Sequence, residues 1–149
     1  MWALFPIGAV LLIFIGLKVA TGDNKFNKGQ SAEIVCHFFY RAKPATAKGE
    51  TGQFTIRVPL AKGGVPEIDL GITETVRFDD LTCEAGANYN ALTIHFYGSD
   101  RMENISNLLY QFDRKPANQF GGHGFTGLHY IHDPVTGAEL QFWAVVKDK

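Results

Sequence analysis

The sequence predicts an all-β domain, an antiparallel sandwich of about seven strands, carried on one N-terminal transmembrane α-helix. Three observations predict it. The first stretch of the chain, Met1 to Leu17, holds no charged side chain. Beyond it, short segments alternate apolar and polar residues with period two, the spacing of a half-buried strand. Turn-forming residues fall between these segments at regular intervals, and no long helical pattern separates them, which disfavours a parallel α/β sheet.

The apolar segment is read as a retained anchor over residues 1–21. Trp2–Ala20 is dominated by Leu, Ile, Val, Phe, Ala and Gly. A helix of that length spans roughly 28 Å, close to the hydrocarbon thickness of a bilayer. Pro6 lies near the first turn, where a missing N–H costs least. Trp2 suits one interface and Lys18 the other, and Phe5, Leu11 and Phe14 belong to the same anchor. A cleaved signal peptide fits less well. No basic residue precedes the core, and Val19-Ala20-Thr21-Gly22 is a poor cleavage site.

Orientation draws on two opposed signals. Lys18, Lys25 and Lys28 follow the helix, which read literally places the following domain in the cytoplasm. Cys36 and Cys83, the only cysteines, together with the β-rich composition, favour a periplasmic or extracellular domain and one disulfide between them. The expectation is the periplasmic or extracellular side, with the cytoplasmic side as the alternative. Two buried free thiols are the alternative to the bond.

Residues 22–31 form a short linker and residues 32–149 the sandwich. Ile34–Tyr40 is a dense β-branched and aromatic run. Gln53–Leu60 places Phe54, Ile56, Val58 and Leu60 on one face, and Pro59 marks it as an edge strand. Thr73–Phe78 repeats the alternation, and Leu81-Thr82-Cys83 is read as its continuation past a kink at Asp79-Asp80. Ala91–Tyr97 aligns Leu92, Ile94 and Phe96. Leu108–Phe112 alternates as a strand but also fits a helical stripe with Met102 and Ile105; the strand is preferred. Phe125–His132 and Glu139–Val146 flank Asp133-Pro134-Val135-Thr136-Gly137, a hairpin connection. Residues 42–52 and 114–124 are read as long flexible loops.

No residue pattern rises to a catalytic signature, so no enzymatic activity and no cofactor are expected. His123, His129 and His132 lie close in sequence and are weak candidates for a metal site. Three residues apart on a strand, however, His129 and His132 point to opposite faces. Cys36-His37 adjacency likewise separates the two side chains. The glycine-rich stretch 119–127 lacks the spacing of a phosphate-binding loop. With 14 basic and 15 acidic residues, no excess of positive charge points to nucleic acid. Phe120, Phe125 and Trp143 are the candidate contact residues. Glu139, Gln141, Trp143 and Val145 share one face of the last strand, a mixed polar and aromatic surface.

These features favour a non-catalytic accessory or structural subunit of a larger membrane complex. Its helix would pack in the lipid bilayer against integral membrane subunits, and its β domain would brace its neighbours. Respiratory and photosynthetic assemblies are natural hosts. A pilin-like filament subunit and a membrane-tethered ligand- or metal-binding module are the alternatives.

Overall fold

Strand β1, Ser31–Arg41, alternates strictly between buried and partly exposed positions. Ala32, Ile34, Cys36, Phe38 and Tyr40 face inward and are essentially inaccessible, while Glu33, Val35, His37 and Phe39 line the opposite face. That alternation makes β1 the centre of a sheet with one face buried. It pairs antiparallel with β2, Glu50–Pro59, on one side and with β8, Glu139–Val146, on the other. The computed structural model describes residues 30–42, 48–61, 70–98 and 103–148.

Among these residues eight strands form two antiparallel four-stranded sheets. The first has the order β2-β1-β8-β7, with β7 at His129–His132. The second is a meander of β3 (Ile72–Arg77), β4 (Leu81–Asn88), β5 (Ala91–Gly98) and β6 (Asn104–Gln111). Their inner faces meet in one core, in which Phe96 of β5 meets Phe142 of β8 edge-on at 5.8 Å between ring centroids. Phe142 in turn packs on Phe38 at 5.3 Å. Tyr40 stacks on Phe78 at 4.8 Å, and its hydroxyl donates to Asp80 Oδ2 at 2.9 Å, tying β1 to the turn after β3.

The anchor segment 1–21 and the linker 22–31, apart from Gln30 and Ser31, lie outside the described residues. Among those described, no helix is long and apolar enough to cross a membrane. Among the described residues the strand count is eight because Asp79-Asp80 reverses the chain instead of kinking it. Phe78 N–H donates to Leu81 C=O at 2.8 Å, and β3 then pairs antiparallel with β4. The segment at 104–111 is a strand, and β2 is an edge strand, as Pro59 indicated. The Asp133–Gly137 connection closes the β7–β8 hairpin. Asp133 accepts from Val135 N–H at 2.9 Å and from Thr136 Oγ1 at 2.6 Å, and the Thr136 bond is the main cause holding its carboxyl below the usual range. Gly137 occupies the left-handed region with φ 75°.

Asn90 joins three elements at the β4–β5 turn. Its backbone N–H donates to Pro59 C=O at 2.8 Å, and its C=O accepts from Phe112 N–H at 2.7 Å. Its side-chain amide brackets Ala61, accepting from the N–H and donating to the C=O, each at 2.9 Å. Asn90 also has φ 57°, which Asn tolerates better than most residues. Asn90→Ala removes both side-chain bonds and leaves a less tolerant residue at positive φ. It is expected to cost about 2–3 kcal/mol. Asn90→Gly, which relieves the backbone, should cost less than Asn90→Ala; denaturant titration of both variants checks the order.

Candidate functional site

The outward face of the first sheet is set by register. Gln53, His37 and Trp143 lie side by side across β2, β1 and β8, and Thr51, Phe39, Gln141 and Tyr130 form the next row across all four strands. On the other side of Trp143 run Thr55, Val35 and Val145, and beyond them Arg57, Glu33 and Lys147. The Lys147 ammonium binds Glu33 and is the main cause of the depressed Glu33 pKa. This surface therefore grades from an ion-pair row through a β-branched row to aromatic and amide rows.

Trp143 is its centre. The His37 imidazole stacks on the indole with centroids 5.2 Å apart and planes 11° from parallel. His123, from the 3-10 turn Gly121–His123, meets the indole edge-on at 5.8 Å. A depression of about 300 Å³ opens beside this cluster, lined by His37, Thr51, Gly52, Gln53 and Trp143 among others. Tyr130, 71% exposed, stands in the adjoining row, and Arg41 lies over the Phe39 ring at 5.1 Å. Aromatic and Arg side chains of this kind, interleaved with amides, are the composition of contact surfaces.

Partial burial lowers the His37 pKa below its ordinary 6.5. The folded protein then takes up the His37 proton less readily than the unfolded chain, so this contribution to stability is complete above pH 6.5. It is lost as pH falls through 6.5 toward the depressed folded value. His37→Gln is expected to flatten that part of the stability profile, measurable by denaturant titration at pH 5 to 8.

Residues 114–124 after β6 are mostly exposed, but Asn118 and the stretch that follows the loop bond to β8. β7 covers β8 only as far as Phe142. Past that point the returning loop supplies the missing partners of the strand. Ala144 N–H donates to Thr126 Oγ1 at 2.8 Å, and Phe125 N–H donates to Ala144 C=O at 3.1 Å. Asn118 pairs with both backbone groups of Val146, at 2.9 Å and 2.8 Å. The Thr126 and Asn118 side chains and the Phe125 backbone thus complete an edge where no strand lies. The same bonds shorten β7, which begins at His129 and not at Phe125.

The candidate contact residues separate. Trp143 is half-buried within the outer cluster, and Phe120 is 53% exposed on the loop. Phe125, in contrast, belongs to the core, where it meets Tyr110 and Phe112 edge-on at 5.7 Å and 5.6 Å. Its backbone bond to Ala144 draws it under the sheet. The three histidines are not brought together. His123 lies on Trp143, while His129 turns inward with Nε2 2.9 Å from Tyr110 Oη and 3.1 Å from Thr126 O, and His132 is exposed. Among the described residues no group of three or more His, Cys, Asp or Glu side chains is placed to hold a metal ion.

Cys36 and Cys83 are fully buried on the inner faces of opposite sheets and are unbonded in this structure. Burial pushes both thiols well above the usual range, with the proximity of Cys83 raising Cys36 further. They pack as small apolar groups and are poor nucleophiles. The partner of Trp143 that sequence reasoning missed is His37. Its role follows from β1 pairing with β8 across most of the chain length, a neighbour relation that no local pattern carries. Comparison with family models, curated proteins and solved structures gave no match to this chain.

Proposed function

We propose that the protein is a non-catalytic, membrane-anchored accessory subunit whose β domain docks on neighbouring integral membrane subunits through the outer face of the β2-β1-β8-β7 sheet. The observation that carries this reading is the Trp143 cluster. An indole held between two imidazoles, with an exposed tyrosine and an arginine-capped phenylalanine in the flanking rows, presents large rigid side chains whose ordering on binding costs little entropy. The ion-pair row forms a polar margin, Gln53 flanks His37 on the β2 side, and Gln141 lies between Phe39 and Tyr130.

The apolar segment 1–21 supplies the second contact, helix to helix within the bilayer. A linker of about ten residues keeps the domain within roughly 30 Å of the membrane surface. On this reading the side of the membrane decides the state of the cysteines. A periplasmic or extracellular domain joins Cys36 to Cys83 across the core, and a cytoplasmic one keeps the thiols seen here.

The test is isolation of the full chain from native membranes in mild detergent through a C-terminal tag. A stoichiometric set of integral membrane proteins is expected with it. Recovery of the chain alone, as a monomer or as a homopolymer, would contradict the proposal.

A further inference from the structure

Four strands end the two sheets: β2 and β7 in one, β3 and β6 in the other. An edge strand offers unpaired backbone groups to any passing chain, and proteins guard such edges with charge, proline or shortness. β2 carries Glu50, Arg57 and Pro59, β3 carries Glu74 and Arg77, and β7 has only four residues. β6 has eight residues, Asn-Ile-Ser-Asn-Leu-Leu-Tyr-Gln, with neither charge nor proline.

The direction of its backbone groups follows from the ladder. Phe112 N–H donates to Asn90 C=O at 2.7 Å, which fixes the phase of the β5–β6 pairing. Groups alternate along an antiparallel strand, so Leu108 and Tyr110 bond toward β5 while Asn107, Leu109 and Gln111 point their N–H and C=O away from the sheet. Among the described residues none takes those outward groups up as a strand partner.

A groove of about 490 Å³ runs beside this edge. It is lined by residues 109–117 together with Gln119 and Phe125. The rings of Tyr110, Phe112 and Phe125 interlock edge-on and supply the apolar part of a lining that is more polar than apolar. Leu109 is 61% exposed at the mouth. Arg114 stands on the rim with its only described carboxylate, the exposed Asp113, at 4.0 Å, while Lys115 is turned to Lys147 C=O and Asp148.

We propose that this groove takes one extended segment of a partner polypeptide, which adds to β6 as a further strand. Alternate side chains of the segment lie on the Tyr110, Phe112 and Phe125 rings, and an acidic residue at its end meets Arg114. This surface is separate from the Trp143 face, and the two are tested apart.

The experiment uses the full chain in detergent micelles and a fluorescein-labelled, N-acetylated peptide of alternating valine and threonine that ends in two aspartates. Fluorescence anisotropy is expected to show saturable binding. N-methylation of the peptide along one edge removes its backbone donors and should weaken binding about tenfold or more. Arg114→Glu should weaken it about fivefold to tenfold and restore binding to a lysine-ended peptide. Leu109→Pro places a ring on the outward edge without removing a β5–β6 bond and should abolish binding. Trp143→Glu should leave it unchanged. Absence of binding, equal binding of the N-methylated peptide, indifference to Arg114→Glu, or a peptide-free dimer dispersed by Leu109→Pro would each overturn the proposal.

Discussion

Gly124→Ala is expected to destabilise the β domain by about 3 kcal/mol or more, a large fraction of the stability of a domain this size. Gly124 has φ 65° and ψ −141°, a conformation open essentially to glycine alone. A Cβ built there falls onto the Ala144 carbonyl oxygen and lies 2.7 Å from its carbon and 2.8 Å from Val145 Cα. All three are backbone atoms of β8, so no side-chain rotation relieves the overlap. Moving the loop away breaks the Phe125–Ala144 bond and weakens the Thr126 and Asn118 bonds that complete the open half of β8. Gly122→Ala is the control: it lies in the same turn, outside the left-handed region, with open space at its Cβ position. It should be within about 0.5 kcal/mol of the wild type. Denaturant titration of both variants reads the difference, and similar stabilities would refute this account of the loop.

The same loop marks where the sequence stopped being readable. Period-two alternation located most of the strands, because burial of one sheet face is a local pattern written every second residue. Pro59 and the Asp133–Gly137 hairpin were legible for similar reasons: each encodes its own backbone geometry. Asp79-Asp80 was not, since a kink and a reversal use the same residues and only pairing of β3 with β4 distinguishes them. The loop from 114 to 128 was unreadable for a stronger reason. Thr126 and Asn118 bond to the backbone of β8, and no composition rule tells a free glycine-rich loop from one standing in for a strand. Phe125 was misplaced with it. On the outer face, Trp143 stood out as an aromatic on an otherwise mixed face, but His37 became its partner only through the β1–β8 register.

That partnership underlies the second large expected effect. Trp143→Glu removes the indole that both imidazoles contact and puts a charge at the centre of the proposed docking face. The side chain points outward from β8 and is only half-buried, so the fold should survive, with a stability change of about 1 kcal/mol or less. If Trp143 is the anchor of an interface, truncating it should cost about 2–4 kcal/mol of binding, enough to reduce affinity about thirtyfold or more. Tyr130→Ser, in the next row, should have a smaller effect in the same direction.

The decisive measurement is quantitative co-isolation of partner proteins from native membranes with the wild-type chain and with Trp143→Glu, matched for expression and for folded stability. The wild type is expected to retain a stoichiometric set of integral membrane proteins, and the variant to retain little of it. Equal retention by both chains would contradict the assignment of the β2-β1-β8-β7 outer face as the docking surface.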